Sequence, residues 1–184
     1  INTNPNNPII GNRSFGENKI NVTNKSLSMM KGLEEAGILT SAKHFPGHGD
    51  TSQDSHKVLP KINFSKQRID SIELFPYKQL IKNGLSSVMI AHLNIPSHDN
   101  NTPSSMSKNI VTGLLKNQLN FNGLIITDAL DMKGASSLSK DRNIDLQAFI
   151  AGNDILLISN DISKAIRELR KALNSKIISE KRLS

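Results

Sequence analysis

The sequence predicts an α/β fold in which short parallel strands alternate with helices, as part of a (β/α)₈ TIM-type barrel or as an open doubly wound sheet. Apolar segments of about four to six residues alternate with segments of helical periodicity, and parallel neighbours need a crossover, usually a helix. No glycine-rich phosphate-binding turn follows any predicted strand, which disfavours the open nucleotide-binding sheet. A closed barrel takes about 250 residues, so these 184 residues would supply about five of its eight βα units.

The N-terminal part begins in a loop that would follow a strand and continues with a helix from about residue 22 to residue 36. Apolar residues recur there every third position, and Gly37 is well placed to end the helix. Residues 38–42 predict a short buried strand. The polar loop over residues 43–60 is too long for a mere connection in a compact domain, so we interpret it as a functional loop.

The middle of the chain predicts a broken helix and a second strand. Ser65 is placed to cap a helix, and Pro76 would break that helix before a second helical piece. Residues 87–91 predict the second strand, and the loop over residues 92–106 follows it.

The C-terminal half repeats the alternation twice more. A helix over residues 110–119 precedes a strand at 124–127, and a helix near 144–151 precedes a strand at 155–158. Asp161 would cap the last helix, which has one apolar face. We therefore expect four parallel strands within one domain that spans residues 1–184, as the C-terminal portion of a barrel lacking its N-terminal strands.

The termini and the apolar runs bear on the class of protein. No run approaches the about 20 apolar residues of a membrane helix, and no signal-peptide pattern stands at the N-terminus, so we expect no transmembrane segment here. The chain opens without methionine in an asparagine- and proline-rich loop, from which we expect a fragment of a longer protein.

Charge and cysteine content narrow the chemistry. The net charge is +7, but basic residues cluster only near the C-terminus, where Glu168 and Glu180 interrupt them, so we expect no nucleic-acid partner. The chain has no cysteine, which excludes disulfides, thiol nucleophiles and thiolate metal sites. We expect no cofactor.

Polar side chains gather at the carboxyl ends of the predicted strands. The carboxyl ends of parallel strands form the reaction face in barrels and in open sheets alike, so side chains distant in sequence would converge there. The residues that directly follow the four strands are Lys43, His44, His92, Asp128, Ser159 and Asn160.

Within the long loop, Asp54 stands two residues before His56. This spacing lets the carboxylate orient the imidazole and stabilise its protonated form, as a proton shuttle requires. A lone Asp-x-His is more often a turn with an exposed histidine. The pair gains weight because it shares its loop with other polar candidates.

A metal-dependent site is the alternative use of the histidines. Four histidines and Asp54 could supply ligands, but His44 and His48 would share a face only on a helix, which Pro46 and Gly47 disfavour. Loop geometry could still bring several ligands together. We expect no metal.

The residues of the long loop resemble a known signature. The run from Lys43 to His56, KHFPGHGDTSQDSH, closely resembles that of the β-N-acetylglucosaminidase (NagZ-like) branch of family 3 glycoside hydrolases. Residues 10–16, 89–92 and 123–132 agree in order and spacing, and residues 151–157 extend the resemblance to essentially the whole chain.

This resemblance implies a (β/α)₈-type barrel that cleaves a terminal β-linked N-acetylglucosamine with retention, on peptidoglycan-derived or related bacterial glycans. Asp128 would be the nucleophile of a covalent glycosyl-enzyme, and His56, oriented by Asp54, the acid/base. A deprotonated imidazole is neutral and repels Asp128 less than a second carboxylate would. The residues that would hold the sugar hydroxyls are Arg13, Lys43 and His44.

Other polar residues near the motifs receive lesser roles. Asp131 is a rival nucleophile, but it lies three residues beyond the strand end on which Asp128 stands. We interpret His48 as a loop-structuring residue, His92 as a residue that backs the site or lies beside the substrate, and His98 as exposed.

The sequence leaves three alternative functions open. A neutral imidazole would also admit phosphate as nucleophile, so a β-N-acetylglucosaminide phosphorylase is the second enzyme hypothesis. A non-catalytic sugar-binding fragment and a basic nucleic-acid-binding domain are the non-enzymatic ones. The intact set of candidate residues argues against the first of these, and the scattered charge against the second.

Overall fold

The computed structural model describes residues 1–53, 58–100, 102–136 and 143–183. Asp54 and His56, the predicted acid/base pair, lie outside the described residues. The central element is a parallel sheet of three strands, β1 (Ser41–Phe45), β2 (Ser87–Ile90) and β3 (Leu124–Thr127), in the order β1-β2-β3. Consecutive parallel strands joined by helical crossovers are the expected βαβ arrangement.

The sheet continues beyond β3 without a fourth regular strand. Ile155 forms a parallel bridge with Ile126, and the Thr127 amide donates to the Ile155 carbonyl at 3.0 Å. The Asp154 carboxylate accepts the Ile125 amide at 2.9 Å, and Ile158 has a left-handed φ of 47°. The strand predicted at 155–158 therefore lies in the right place and direction but makes only a single bridge.

The first helix begins three residues earlier than predicted and ends near Gly37 as predicted, and the second helix begins at its predicted cap. Helix α1 (Lys19–Glu35) begins at Asn18, whose side chain accepts two backbone amides, and Gly37 follows its end with a φ of 76°. Helix α2 (Lys66–Ser71) begins at Ser65, whose hydroxyl accepts the Arg68 amide. Helix α3 (Phe75–Lys82) starts with a proline in its first turn, as predicted for the helix break.

The C-terminal helices follow the predicted order. A ten-residue π-helix occupies Asn109–Gln118, and it is followed by short helix α4 (Lys133–Ser136). Helix α5 (Ile144–Ala151) has the predicted bounds, and the Asp161 side chain caps α6 (Ile162–Asn174) by accepting the Lys164 amide. Single 3₁₀ turns lie at Gly11–Arg13, Ser104–Met106 and Glu180–Arg182.

The first strand lies three residues later than predicted. Ile38 and Leu39 are 52% and 74% exposed, so this apolar pair does not enter the sheet. Pairing with β2 begins where the Thr40 carbonyl accepts the Ser87 amide. Lys43 and His44, predicted to follow the strand, are instead inside its carboxyl-terminal half.

The main apolar core surrounds β2, the central strand. Its residues Val88 and Ile90 are fully buried, together with Ile125 of β3 and Leu115 of the π-helix. A parallel strand covered on both faces reads as a continuous apolar run, which is why β2 was predictable. A smaller cluster joins α5 to α6. No helix in the described ranges combines the length and apolarity that a membrane crossing requires.

Gly123 stands at a close approach of backbone just before β3, and its replacement is expected to destabilise the protein. A Cβ there would lie 2.4 Å from the Ser86 carbonyl oxygen and 2.7 Å from the Phe121 ring. The Ser86 carbonyl cannot move away easily because it accepts the Leu124 amide. We expect Gly123→Ala to lower the free energy of unfolding by roughly 1–3 kcal/mol in urea melts.

Gly32, in α1, provides the matched control. A Cβ at Gly32 would meet nothing within 4 Å, so Gly32→Ala should leave stability unchanged or raise it by up to about 1 kcal/mol. Equal melting midpoints for Gly123→Ala and the unmodified protein would contradict this account of the approach at Ser86.

Candidate active site

Asp128 stands directly after β3 and is held by the sheet. Its amide donates to the Ile90 carbonyl at 2.8 Å, which continues the pairing of β2 with β3 by one residue. Its Oδ1 accepts the Ala129 amide at 2.9 Å. Both bonds fix the carboxylate at the carboxyl edge of the sheet, and its side chain is 18% exposed.

His44, in the carboxyl-terminal half of β1, faces this carboxylate across the end of β2. Its Nε2 lies 4.0 Å from Asp128 Oδ2, and its side chain is 9% exposed. Burial lowers the pKa of His44 to about 4; Asp128 opposes this shift, while His48, Lys43 and Arg13 reinforce it. His44 is therefore neutral at neutral pH. Its buried Nδ1 has no hydrogen-bond partner among the described residues.

The three residues predicted to bind sugar share one cavity. Arg13, Lys43 and His44 line a space of about 370 Å³ whose apolar wall includes Met30 and Leu33 of α1. Arg13 and Lys43 are exposed, and the Arg13 guanidinium makes a long bond of 3.4 Å to the Ile9 carbonyl. Asp128 does not line this space. His44 lines the cavity and also faces the Asp128 carboxylate, so it connects the two.

His92 backs the candidate nucleophile from inside the fold. Its Nε2 lies 2.9 Å from the Ala129 carbonyl oxygen and its Nδ1 lies 2.7 Å from Ser105 Oγ. Because a carbonyl only accepts, Nε2 carries the proton and Nδ1 accepts from the hydroxyl. Burial lowers the pKa of His92, which keeps the ring neutral. His92 therefore holds the carbonyl of Ala129, the same residue whose amide bonds Asp128 Oδ1.

The remaining polar candidates divide as follows. His48 is buried, and its Nδ1 lies 3.0 Å from Thr51 Oγ1, as expected of a loop-structuring residue. His98 is half-buried and contacts Ser97, so the expectation of an exposed histidine was wrong. Asp131 is exposed beyond the strand end.

The loop after β1 is anchored by residues that sequence reasoning missed. Asn7 Nδ2 donates to the His48 carbonyl at 2.8 Å, and Arg68 lies between the carboxylates of Asp50 and Glu73. No spacing pattern marks these pairs, since their members come from separate elements. Within the described ranges, no group of three or more histidine or acidic side chains is placed to hold a metal ion.

Comparison with known families decides the classification. The family described as "Glycosyl hydrolase family 3 N terminal domain" matches residues 1–184, the whole chain. The chain belongs to glycoside hydrolase family 3. The resemblance of its loop motif is thereby confirmed, and its fold is of the α/β TIM-barrel type.

Individual relatives of this family 3 chain are enzymes of related activity. Beta-hexosaminidase A of Pseudoalteromonas piscicida is 40% identical over 170 residues, which are 86% of this chain and 28% of that protein. A solved family 3 beta-N-acetylglucosaminidase from Paenibacillus superposes with a TM-score of 0.93 at 37% identity over 99% of this chain. A solved beta-glucoside phosphorylase, BglX, superposes with a TM-score of 0.93 at 27% identity over 100% of the chain.

The family 3 chain is shorter than these relatives. It spans 28% of the length of the Pseudoalteromonas enzyme and 35% of each of the two solved chains.

Proposed function

We propose that the protein carrying this chain is a retaining β-N-acetylhexosaminidase that removes terminal β-linked N-acetylglucosamine from peptidoglycan-derived or related glycans. The observation that carries the proposal is the approach of His44 to Asp128 at the carboxyl edge of the sheet, 4.0 Å apart. Relatives named beta-hexosaminidase support the choice of sugar.

For the fold, we propose that residues 1–184 contribute about five βα units, the C-terminal portion of one eight-unit catalytic barrel. Three parallel strands and the bridge at Ile155 account for four consecutive strand positions, which supports this assignment. A barrel of this type is built from neighbouring parallel strands joined by helical crossovers.

The proposed reaction begins with attack by Asp128. The Ala129 amide occupies Oδ1, so Oδ2 forms the bond to the anomeric carbon, and the glycosidic oxygen leaves with the bonding electrons. His56, oriented by Asp54, gives its proton to that oxygen. Water then loses a proton to His56 and attacks the anomeric carbon, which releases the Asp128 carboxylate and a sugar of unchanged configuration.

A neutral His44 suits this chemistry. A protonated imidazole beside Asp128 would form an ion pair and weaken the carboxylate as a nucleophile, whereas a neutral ring offers one N–H to a sugar hydroxyl. Lys43 and Arg13, on the wall of the same cavity, are proposed to hold further hydroxyl groups. Both cations also help to keep His44 unprotonated.

Substrate preference tests the proposal. In the protein that carries this sequence, aryl β-N-acetylglucosaminide should be turned over with a kcat/KM at least about 10²-fold above that for aryl β-glucoside, as a site that bonds the acetamido group predicts. Proton NMR of the first product should show the β-anomer. Faster turnover of the glucoside, or an α-anomer as first product, would contradict the proposal.

Phosphorolysis is the second candidate, supported by the similarity to a beta-glucoside phosphorylase. Phosphate would replace water in the second step and leave as a sugar phosphate. The same assay run with and without inorganic phosphate separates the two reactions, because only phosphorolysis yields the sugar phosphate.

A further inference from the structure

We propose that Arg68, bridging Asp50 and Glu73, is a positioning residue that holds the loop leading to His56 in place for proton transfer. This inference rests on the proposed function, in which His56 is the acid/base. Arg68, Asp50 and Glu73 are called the loop clamp below.

The loop clamp joins three separate segments through one guanidinium. Arg68, in α2, donates from Nη1 to both oxygens of Glu73 at 2.6 Å and from Nη2 to Asp50 Oδ2 at 3.3 Å. Its Cζ lies 4.7 Å from the centre of the Phe64 ring, which supports the guanidinium plane. One cation thus connects the loop after β1 with the junction between α2 and α3.

Glu73 meets the loop a second time, at Gly47. The Glu73 side chain is buried, and a Cβ on Gly47 would lie 2.7 Å from Glu73 Cγ. The backbone of Gly47 therefore packs directly on Glu73, with a φ of 143° that favours glycine. Together with the Asp50 contact, the loop clamp touches the loop at two points three residues apart.

The opposite side of the same stretch is held by Asn7. Its Nδ2 donates to the His48 carbonyl at 2.8 Å and to Thr51 Oγ1 at 3.3 Å. Residues 47–51 are thus fixed from two sides. In the sequence, Asp54 follows Thr51 by three residues, so the clamped stretch directly precedes the proposed acid/base pair. Arg68, Asp50 and Glu73 do not themselves line the cavity proposed to hold the sugar, although Gly47 does. We therefore expect a loosened clamp to impair proton delivery more than sugar binding.

This separation predicts a selective loss of acid catalysis. Poor leaving groups depend on protonation of the glycosidic oxygen, whereas a dinitrophenolate leaves with little help from an acid. We expect Arg68→Ala to lower kcat/KM by about 10-fold or more for an unactivated aryl β-N-acetylglucosaminide, and by less than about 3-fold for the dinitrophenyl one. Arg68→Lys, which keeps one charge, should recover part of the loss.

Asp50→Asn is the second variant, chosen because it leaves the pair of Arg68 with Glu73 intact. Lys78→Ala is the matched control: Lys78 and Asp70 form an ion pair at 2.6 Å between α3 and α2, away from the loop. Asp50→Asn should show the same selectivity as Arg68→Ala in smaller degree, and Lys78→Ala should match the unmodified protein for every leaving group.

His56→Ala distinguishes a failure of the proposed function from a failure of the inference about Arg68. Suppose that His56→Ala loses more activity on substrates with poorer leaving groups, while Arg68→Ala and Asp50→Asn, shown by melting to be folded, lose no activity or lose it equally on all substrates. In that case the loop clamp is only structural, and the inference about Arg68 fails while the proposed function stands. If His56→Ala shows no leaving-group dependence, the proposed acid/base role fails and the inference fails with it.

Discussion

Asp128→Asn is expected to lower kcat on aryl β-N-acetylglucosaminide by at least about 10³-fold while leaving the thermal midpoint unchanged. A carboxamide cannot form the glycosyl ester, so the two-step route is lost. The side-chain oxygen of asparagine can still accept the Ala129 amide, and the backbone bond to Ile90 does not involve the side chain. Asp128→Asn should therefore lose activity without losing stability.

Asp131→Asn is the matched control, since Asp131 is exposed three residues further on and should tolerate the change. Mass spectrometry of the protein quenched during turnover of a slow substrate should show one added sugar in the unmodified enzyme and none in Asp128→Asn. Loss of activity in Asp131→Asn with normal turnover in Asp128→Asn would transfer the nucleophile role to Asp131.

Acidification from about pH 6.5 to about pH 4 is expected to destabilise the fold through His44. Burial lowers the pKa of His44 to about 4 in the folded protein, whereas the unfolded chain titrates at the ordinary value of 6.5. Between these values the unfolded state binds the additional proton, so stability falls as pH falls through this window and the contribution is complete above pH 6.5. The loss attributable to His44 is roughly 3 kcal/mol at most.

The variant His44→Gln measures the contribution of His44 to this pH dependence, because a glutamine side chain cannot take up a proton. Burial also lowers the pKa values of His92 and His98, so the variant keeps their share of the pH dependence. Urea melts at pH 4.5 and pH 7 should give a smaller difference for His44→Gln than for the unmodified protein. Identical differences, or an imidazole of His44 that NMR shows protonated at pH 5.5, would refute the assignment.

Much of the fold was predictable because its signals are local. The caps at Ser65 and Asp161, the break at Pro76 and the buried run of β2 each depend on a few adjacent residues. The shift of β1 arose because apolar character alone does not show whether a pair such as Ile38 and Leu39 packs against anything.

The site was predictable to the extent that strand ends define it. Asp128 was placed on the reaction face because it directly follows a parallel strand, and His44 because it was expected at the carboxyl end of another strand of the same parallel sheet. His92 was likewise noticed at a strand end, but its partners Ser105 and Ala129 were not. The contacts of Arg68 left no mark in the sequence, because they depend on a pairing between elements that only the folded chain brings together.

The bond from the Asp128 amide to the Ile90 carbonyl ties the candidate nucleophile to the pairing of β2 with β3. Proteins open in cooperative units, and the central strands of a buried sheet are among the last to open. The backbone of Asp128 therefore shares the protection of the sheet, while residues 47–51 of the loop after β1 depend on side-chain contacts of Asn7 and Arg68. Thermal fluctuations that loosen this stretch of the loop can occur long before Asp128 itself is displaced.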